Sequence, residues 1–497
     1  MIVILTGIVA AGCGAGKASV TATKKYAPAQ LQRDYRVYRQ ILEDHHPGLY
    51  WYTSPDSMNY YFDAGEQQLK DSLTEPSFRK LLNYVTAKIN CGHTSVRSSK
   101  AWGKYMDTVR LAKMFPLSVK VWPDTMVVTA NLNRRDSLLV RGTVIRKING
   151  LPVAEIVDSL FQFLSTDGYN LTHKYQTLSN RGFFGTLFTS VYGLFPNYNI
   201  EFSDSLGRIR NATVPVYDPA RDTVGRRALR SIRPVPQPSK KERRQQALNN
   251  TRLLKIDTLN RTAMMDLASF GRGFGLPQFF KNSFRALRKN KIDHLIIDVR
   301  SNGGGSVNNS TILTRYLATD AFKISDSLYA IRKKSRYDHY IQHHFWNRLF
   351  IFFFTSKKKD GLYHFRYFEK HYFKPKKKNH FDGKVYVLVG GNSFSATTLF
   401  ASALVRQDNV TLVGEETGGG AYGNSAWLIP DVTLPETGVR FRLPIFRLVI
   451  DRDIPKTGLG VQPEVFSVPT VEAIRNSRDF KVEKALELIQ KDKEKKN

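Results

Sequence analysis

The sequence predicts an α/β protein with a helical N-terminal cap and a β-rich module ahead of the core. From 295 to 413, apolar strands alternate with helical stretches, which is typical of a largely parallel sheet. From 114 to 164, apolar and polar residues alternate as they do in half-buried strands. From 26 to 89, apolar residues recur at helical spacing. Three kinds of pattern therefore follow one another along one chain.

These changes of pattern set the predicted domain boundaries. A chain of 497 residues has room for two or three domains. The predicted parts are a signal or lipoprotein segment at 1–25, a helical cap at 26–104, a β-rich module at 105–170, and an α/β core at 171–480 with basic insertions at 219–250 and 329–380.

Within the core, the stretch LVGGNSFSATTLFASAL places Ser395 at a predicted turn between a buried strand and a helix. The backbone N–H groups at such a turn and the helix N-terminus favour negative charge. This environment suits a nucleophile whose intermediate is an oxyanion. On this stretch alone, a serine that only caps the helix, either Ser393 or Ser395, is the simpler explanation.

Two further stretches supply groups that acyl transfer needs. HLIIDVRSNGGGSVNNS is an apolar strand that runs into three glycines, whose backbone can approach a bound group closely. INCGHTSV places His93 after a helical run, and an imidazole is a suitable general base near neutral pH. A serine, a glycine-rich backbone cradle and a distant histidine together favour acyl transfer.

In this order, CGHT, IDVRSNGGG, SFSATT and LVGEETGGG resemble the C-terminal-processing and tricorn-like serine peptidases, the group of the tail-specific protease and the interphotoreceptor retinoid-binding protein. The resemblance extends from about 31 to 465. It implies a ClpP/crotonase-like β-α catalytic core and a PDZ-like inserted module, although the module has no evident carboxylate-binding loop. It also implies that Ser395 is the nucleophile, that His93 is its base, and that the oxyanion donors are backbone N–H groups of Gly303 or Gly304 and of Ala396.

The group that orients His93 does not follow from the resemblance. One branch of the family has a lysine 25 positions after the serine, where this chain has Gly420. Tricorn-like members have a serine before the histidine and a late glutamate, where this chain has Gly92 and Thr457. Cys91 is a less favoured alternative nucleophile. The candidates for orienting His93 are four acidic residues, Asp451, Asp453, Glu415 and Glu416.

The N-terminus and the charge suggest a location. MIVILTGIVAAGC is apolar but too short to span a bilayer, and AAGC resembles a lipobox in which Cys13 is lipidated. The net charge is +32, with no nucleic-acid-binding signature. This charge indicates either a role near an anionic membrane or simply a basic solvated surface. We expect a lipid-anchored protein of the cell envelope, facing the periplasm or the outer membrane.

The two basic insertions have different predicted structures. The first is rich in Arg, Lys, Pro and Gln, which predicts a mobile surface loop. The second contains the apolar run Phe345 to Phe354, followed by three lysines. We expect this run to cover the cleft as a lid or to pack on the core, ahead of the alternative in which it contacts a membrane interface.

The sequence thus predicts an envelope-associated serine endopeptidase that hydrolyses unfolded or C-terminal protein segments. The alternative is an inactive relative that binds peptide or an apolar ligand in the same cleft. A third hypothesis is a binder of anionic polymers or membranes. The expected partners are a polypeptide substrate and a membrane surface, with no nucleic acid. No metal or cofactor is predicted, and the oligomeric state stays open.

Overall fold

The computed structural model describes residues 21–109, 112–222 and 238–495. The predicted lipidation site Cys13 and residues 223–237 of the first insertion lie outside the described residues. The predicted mixed α/β fold is confirmed, since helices and five sheets alternate along the described chain.

The central sheet has six strands. The first two strands pair in antiparallel fashion and all the other pairs are parallel. In spatial order the strands are Arg252–Asp257, Thr262–Leu267, His294–Asp298, Lys384–Val389, Val410–Gly414 and Val465–Phe466.

Both faces of this sheet are buried, which explains the continuous apolar runs of its inner strands. Leu295 and Ile297 face a large core, whereas Ile296 between them faces a smaller one. The large core is closed mainly by helices Leu276–Lys289, Val307–Thr314 and Ala396–Leu404, and the small one by the C-terminal helix Phe480–Glu494.

The N-terminal cap is helical, as its periodicity predicted. Its apolar residues share one core with the smaller sheets near the C-terminus, so the cap packs on the rest of the chain. The cap consists of helices Pro28–His45, Pro55–Gln67, Glu75–Ala87 and Lys100–Thr108 and the strand pair Lys25–Tyr26 and Leu73–Thr74.

The β-rich unit is larger than the predicted module at 105–170. Its antiparallel sheet continues after three helices, so the boundary at 170 divides a unit with a single core. The sequence of the helices at 171–192 does not indicate which sheet they cover, so it does not predict that they belong to this unit. The unit comprises strands Leu117–Trp122, Thr125–Asn131, Val144–Ile148, Leu151–Pro152, Asn197–Ser203 and Ile209–Pro215 and helices Val153–Phe161, Leu171–Ser179 and Phe183–Tyr192.

Two smaller antiparallel sheets connect the cap with the second insertion. One has the strand order Ser356–Lys357, Tyr363–His364, Ser327–Ala330, Phe446–Val449 and Gly423–Ala426. The other has the order Asp431–Thr433, Arg440–Arg442 and Val96–Arg97. The remaining helices are the 3-10 turn Asp338–Tyr340 and helices His344–Phe354, Arg366–Lys370 and Val471–Arg475.

The first insertion corrects one expectation. Part of the predicted mobile loop at 219–250 is the helix Lys240–Thr251. Ser239 accepts a hydrogen bond from the Glu242 N–H, and the Glu242 carboxylate accepts one from the Ser239 N–H. This capping box explains how a strongly polar segment begins a helix. No helix among the described residues has the length and apolar character needed to cross a bilayer.

Candidate active site

The two glycine-containing motifs meet because they follow neighbouring parallel strands. His294–Asp298 pairs in parallel with Lys384–Val389, so both strands end at the same edge of the sheet. Residues after the carboxyl ends of such strands form the usual ligand crevice of α/β folds. Here the Phe394 N–H donates to the carbonyl of Asn302 over 3.2 Å, which holds the two loops together.

Ser395 occupies a strained turn at the start of helix Ala396–Leu404. Its φ of 58° and ψ of −120° are unfavourable for any residue with a Cβ. Its hydroxyl makes no capping hydrogen bond, and its side chain lines a cavity. A serine held in this way presents its hydroxyl to the cavity, as nucleophiles at strand-to-helix turns do.

Ser393 has a different task. It is fully buried, its hydroxyl donates to the Val299 carbonyl over 2.8 Å, and it accepts a hydrogen bond from the Gly390 N–H. These bonds fix the turn that follows strand Lys384–Val389. Ser393 therefore supports the loop, and Ser395 is left as the serine that faces the cavity.

The glycine run packs against the turn at Ser395. Gly304 has a φ of +95°, and a Cβ built on it would lie 2.8 Å from the Cβ of Ser395 and 2.9 Å from the Ala396 nitrogen. Only glycine fits there. The Gly304 N–H donates to Asn302 Oδ1 over 2.9 Å, so this group already has a partner. Gly305, the next residue, lines the cavity with Ser395, whereas the predicted role of Gly303 is not decided by any contact.

His93 comes from the loop after helix Glu75–Ala87 and lies beside the turn at Ser395. Its ring contacts the ring of Phe394 at a centroid distance of 4.6 Å. His93 is buried, and neither ring nitrogen has a hydrogen-bond partner among the described residues. On the other side of Phe394, His173 stacks at 4.9 Å and contacts the Gly391 carbonyl through Nδ1 over 2.7 Å.

The carboxylate next to His93 belongs to Asp167. One of its oxygens lies 3.7 Å from His93 Nδ1, and the same oxygen accepts the Gly92 N–H over 2.8 Å. Burial by itself would raise the pKa of Asp167, but the nearby His93 and the Gly92 N–H bring this pKa below its ordinary value. A buried carboxylate that stays ionised can orient an imidazole and stabilise its protonated form.

Gly92 stands where related histidine motifs have serine, and the structure gives a reason. A Cβ on Gly92 would lie 2.6 Å from Phe394 Cζ, so the ring of Phe394 fills the space of a side chain there. Asp167 also lies next to Gly420, whose N–H points to its second oxygen at 3.5 Å. Asp167 therefore lies between the two glycines that replace a family serine and a family lysine.

A buried cation lies close to this carboxylate. The guanidinium of Arg447 stacks on Trp51, donates to Ser425 Oγ over 3.1 Å, and is almost fully buried. Burial lowers the pKa of Arg447 to about 10, which leaves it charged at neutral pH. Its positive charge is among the interactions that lower the pKa of Asp167.

Three of the four acidic residues predicted to orient His93 have other partners. Glu415 pairs with Lys481 at 2.7 Å, and Glu416 accepts hydrogen bonds from Thr172 and from the Gly460 N–H. Asp451 pairs with Arg406 at 3.2 Å and also accepts the Asp453 N–H. The carboxylate that the structure places next to His93 is that of Asp167.

Cys91 belongs to a group of three buried side chains that could hold a metal ion. Its thiol, a nitrogen of His93 and a carboxylate oxygen of Asp167 lie within 4.8 Å of one another, a donor set that zinc accepts. However, burial raises the pKa of Cys91 to about 11, so the thiol is protonated at neutral pH. The protonated thiol also argues against Cys91 as the nucleophile.

The cavity at Ser395 has a volume of about 650 Å³. Leu399 and Trp427 give it an apolar floor, and the second insertion contributes Tyr367, Phe368 and Phe373 to its wall. Two cationic side chains, Arg272 and Arg442, also line the cavity. The cavity therefore suits a largely apolar peptide segment with a negatively charged group.

Asp167 is the site residue that the sequence did not predict. It lies in the segment STDGYN between two helices of the β-rich unit, where Asp-Gly is typical of an ordinary turn. His173 and Arg447 were also not predicted. No spacing in the sequence connects these residues with His93, and only the packing of the β-rich unit against the cap brings them together.

The chain has an α/β fold in which the turn at Ser395, His93 and Asp167 lie near one another. Residues 261–466 match the model of peptidase family S41. This match confirms the resemblance that the motifs indicate.

Solved structures of one protein, CPAF, are similar over almost the whole chain. Mature CPAF has 15% sequence identity and a TM-score of 0.62, over 93% of this chain and 96% of CPAF. A serine-to-alanine variant of CPAF gives 14% and 0.64, again over 93% and 96%. CPAF complexed with lactacystin gives 14% and 0.61, over 93% and 98%. At these identities the similarity establishes the fold. A comparison with curated proteins gave no match.

Proposed function

We propose that this chain is a serine endopeptidase in which Ser395 is the nucleophile, His93 the general base and Asp167 the residue that positions His93. The observation that carries the proposal is the pair of unused groups near the turn at Ser395. The Ser395 hydroxyl does not cap its helix, and the buried nitrogens of His93 make no hydrogen bond within the described residues. A buried imidazole without hydrogen bonds is costly, so a functional partner is the natural explanation.

The reaction follows from the positions of these groups. With Nδ1 facing Asp167, Nε2 of His93 accepts the Ser395 proton as Oγ attacks the peptide carbonyl. His93 then gives this proton to the leaving amine, and the acyl group stays on Oγ until a water, deprotonated by His93, releases it. The Ser395–His93 hydrogen bond forms when substrate binds, as is usual for loosely aligned apo sites.

Backbone N–H groups stabilise the oxyanion in this scheme. Ala396 is the first residue of its helix, so its N–H has no partner within the helix. The second donor is an N–H of the glycine run, and Gly305 is favoured over Gly304 because Gly304 already donates to Asn302. Such donors typically contribute about 100- to 1000-fold each to the rate.

The lining of the cavity suggests the class of substrate. Aromatic and aliphatic residues around Ser395 favour apolar side chains next to the cleaved bond, and Arg272 or Arg442 would bind a terminal carboxylate. Unfolded segments and chain ends combine these features. The sheet order supports a ClpP/crotonase-like core, and the antiparallel sheet with helix Val153–Phe161 supports a PDZ-like unit.

The location in the cell envelope is part of the proposal and rests on the AAGC motif at Cys13. Incorporation of labelled fatty acid into the expressed chain, and its loss in Cys13→Ala, would test it. The expected result is a lipidated, membrane-associated protein. An unlabelled chain that is processed or retained elsewhere would contradict the lipid anchor without affecting the peptidase proposal.

The peptidase proposal is tested by hydrolysis of an unfolded protein such as reduced casein. We expect cleavage by the wild type, no cleavage by Ser395→Ala, and inhibition by lactacystin, with which CPAF has been crystallised. Equal cleavage by Ser395→Ala would overturn the assignment. Casein binding without cleavage by the folded wild type would favour the alternative, an inactive peptide-binding relative.

A further inference from the structure

The second insertion presents an aromatic face to solvent. In helix His344–Phe354, five aromatic side chains are more than half exposed. Phe354, at 56%, lies apart from the other four, which are Phe345 58%, Trp346 67%, Phe352 62% and Phe353 71%. With 3.6 residues per turn, these four and Leu349 fall within an arc of about 120°. We call these five residues the aromatic face.

The opposite side of the same helix is packed on the protein. Ile351 is buried, and Phe350 contacts Phe365 and Phe446 at centroid distances of 5.6 and 6.2 Å. The core therefore fixes the rotation of the helix and directs the aromatic face outward. Four exposed aromatic rings side by side are unusual for a soluble surface and mark an interaction site.

Basic residues surround the aromatic face. The segment 331–360 contains eight Lys and Arg residues against two Asp residues. Lys333 lies over the ring of Phe352 at 5.1 Å, and Arg348, Lys357 and Lys359 are exposed on or just after the helix. One of the two acids, Asp338, is paired with His45. The rim of the aromatic face is thus cationic.

We propose that the aromatic face inserts into the interface of an anionic lipid bilayer, with the surrounding Lys and Arg residues on the headgroups. Aromatic rings are favoured at this depth, and apolar area and cationic charge both add to interfacial binding. Each Lys or Arg near an anionic surface adds to this binding. The proposal is independent of catalysis by Ser395.

The charge decides against a second copy of the chain as the partner. A twofold contact through the aromatic face would bring two identical cationic rims together. Like charges placed opposite each other at an interface are costly. An anionic bilayer, in contrast, complements the apolar centre and the cationic rim at the same time.

The packed side of the helix that carries the aromatic face is close to the cavity at Ser395. Phe350 contacts Phe365, and Phe365 contacts Trp427, which lines the cavity. A chain bound through this helix would hold its cavity near the membrane surface. Polypeptides at or emerging from that surface are then the accessible substrates.

The test is co-sedimentation of the full chain with vesicles of phosphatidylcholine, with and without phosphatidylglycerol. All proteins carry Cys13→Ser, so that no acyl chain contributes. The aromatic variant combines Phe345→Ser, Trp346→Ser and Phe353→Ser. Its control, Leu206→Ser with Leu259→Ser, removes two exposed apolar side chains elsewhere on the surface. The charge variant, Lys357→Glu with Lys359→Glu, is matched by Lys240→Glu with Lys241→Glu in the first insertion.

We expect binding to the anionic vesicles and little to the neutral ones. The aromatic and charge variants should each bind at least about tenfold more weakly, since apolar area and charge both contribute to interfacial binding. Each control should stay close to the unmodified chain. Equal binding by the aromatic variant and its control would overturn the proposal. The proposal would also be overturned if the chain bound no vesicles but formed dimers, and if the aromatic variant no longer formed these dimers.

Discussion

The two sides of the cleft are built in different ways. Ser395 and the glycine run follow two adjacent parallel strands, so a single sheet edge determines their positions. His93 and Asp167 come from two loops of different units, the cap and the β-rich unit. N–H···O bonds from Gly92 to Asp167 and from Gly168 to the Asn90 carbonyl join these loops. The nucleophile side is therefore fixed by the core, whereas the base side depends on how two units dock.

The largest effect is expected on the nucleophile side. Ser395→Ala should lower kcat for peptide hydrolysis by about 10⁴- to 10⁶-fold, because the attacking oxygen is lost. Stability should change little, since this hydroxyl caps nothing. Ser393→Ala is the matched control, and it should keep activity but lose about 1–3 kcal/mol of unfolding free energy with its buried hydrogen bonds. If Ser393→Ala abolished activity and Ser395→Ala only lowered stability, the roles of the two serines would have to be exchanged.

On the base side, His93→Gln should reduce kcat by roughly as much as Ser395→Ala, since residues that act as a unit are not additive. The double variant should be no slower than either single one. His173→Gln serves as the control, because His173 stacks on the far side of Phe394 and bonds to the Gly391 carbonyl. Greater loss in His173→Gln than in His93→Gln would assign the base to His173.

Asp167→Asn should lower kcat by about 10²- to 10⁴-fold, with a smaller change in KM, because an amide does not stabilise the imidazolium. The pH dependence of kcat/KM should also change, since a negative charge next to the general base is removed. Partial recovery in Asp167→Glu would support the role of the charge. An unchanged pH profile would mean that Asp167 only supports the loop through Gly92.

A smaller effect tests why Gly92 replaces serine. Gly92→Ser should destabilise the chain by about 1–3 kcal/mol and slow hydrolysis, because the new Cβ meets Phe394 at 2.6 Å. Gly103→Ser is the control, since a Cβ there meets nothing within 4 Å. Urea unfolding and peptide hydrolysis provide the two measurements. Higher activity in Gly92→Ser would show that the family serine still suits this site.

The smallest effect concerns stability at acid pH. The folded pKa of Asp167 is depressed, so its ionised form stabilises the fold above the unfolded value of about 3.9 and loses this effect as pH falls through the folded value. The difference in unfolding free energy between wild type and Asp167→Asn should be constant from pH 5 to 8 and shrink below about pH 4. A difference that grew on acidification would contradict the depressed pKa.

The difference between the nucleophile side and the base side of the cleft also explains which site residues the sequence could predict. The strand, glycine and serine motifs are continuous in sequence, so the fold class and the roles expected for Ser395 and the glycines could be stated in advance. Asp167 could not, because its only local signal is an Asp-Gly turn and its partner lies more than 70 residues away. Three of the acidic candidates, Glu415, Glu416 and Asp451, have other partners, which the sequence does not reveal.

Other misses have local causes. The helix Lys240–Thr251 lacks an apolar stripe, and only its capping box indicated where it begins. The sheet of the β-rich unit returns after three helices, and strand pairing across such a gap leaves no pattern in sequence. The apolar run of the second insertion was recognised, but which face of its helix is exposed depends on packing against Phe365 and Phe446.

The most direct test of the account is to react the purified chain with a fluorophosphonate and to map the adduct by mass spectrometry. The account predicts one adduct, on Ser395, that forms rapidly in the wild type, much more slowly in Asp167→Asn, and not measurably in His93→Gln. An adduct on another residue, or equal rates in all three folded proteins, would contradict an activated serine that depends on His93 and Asp167.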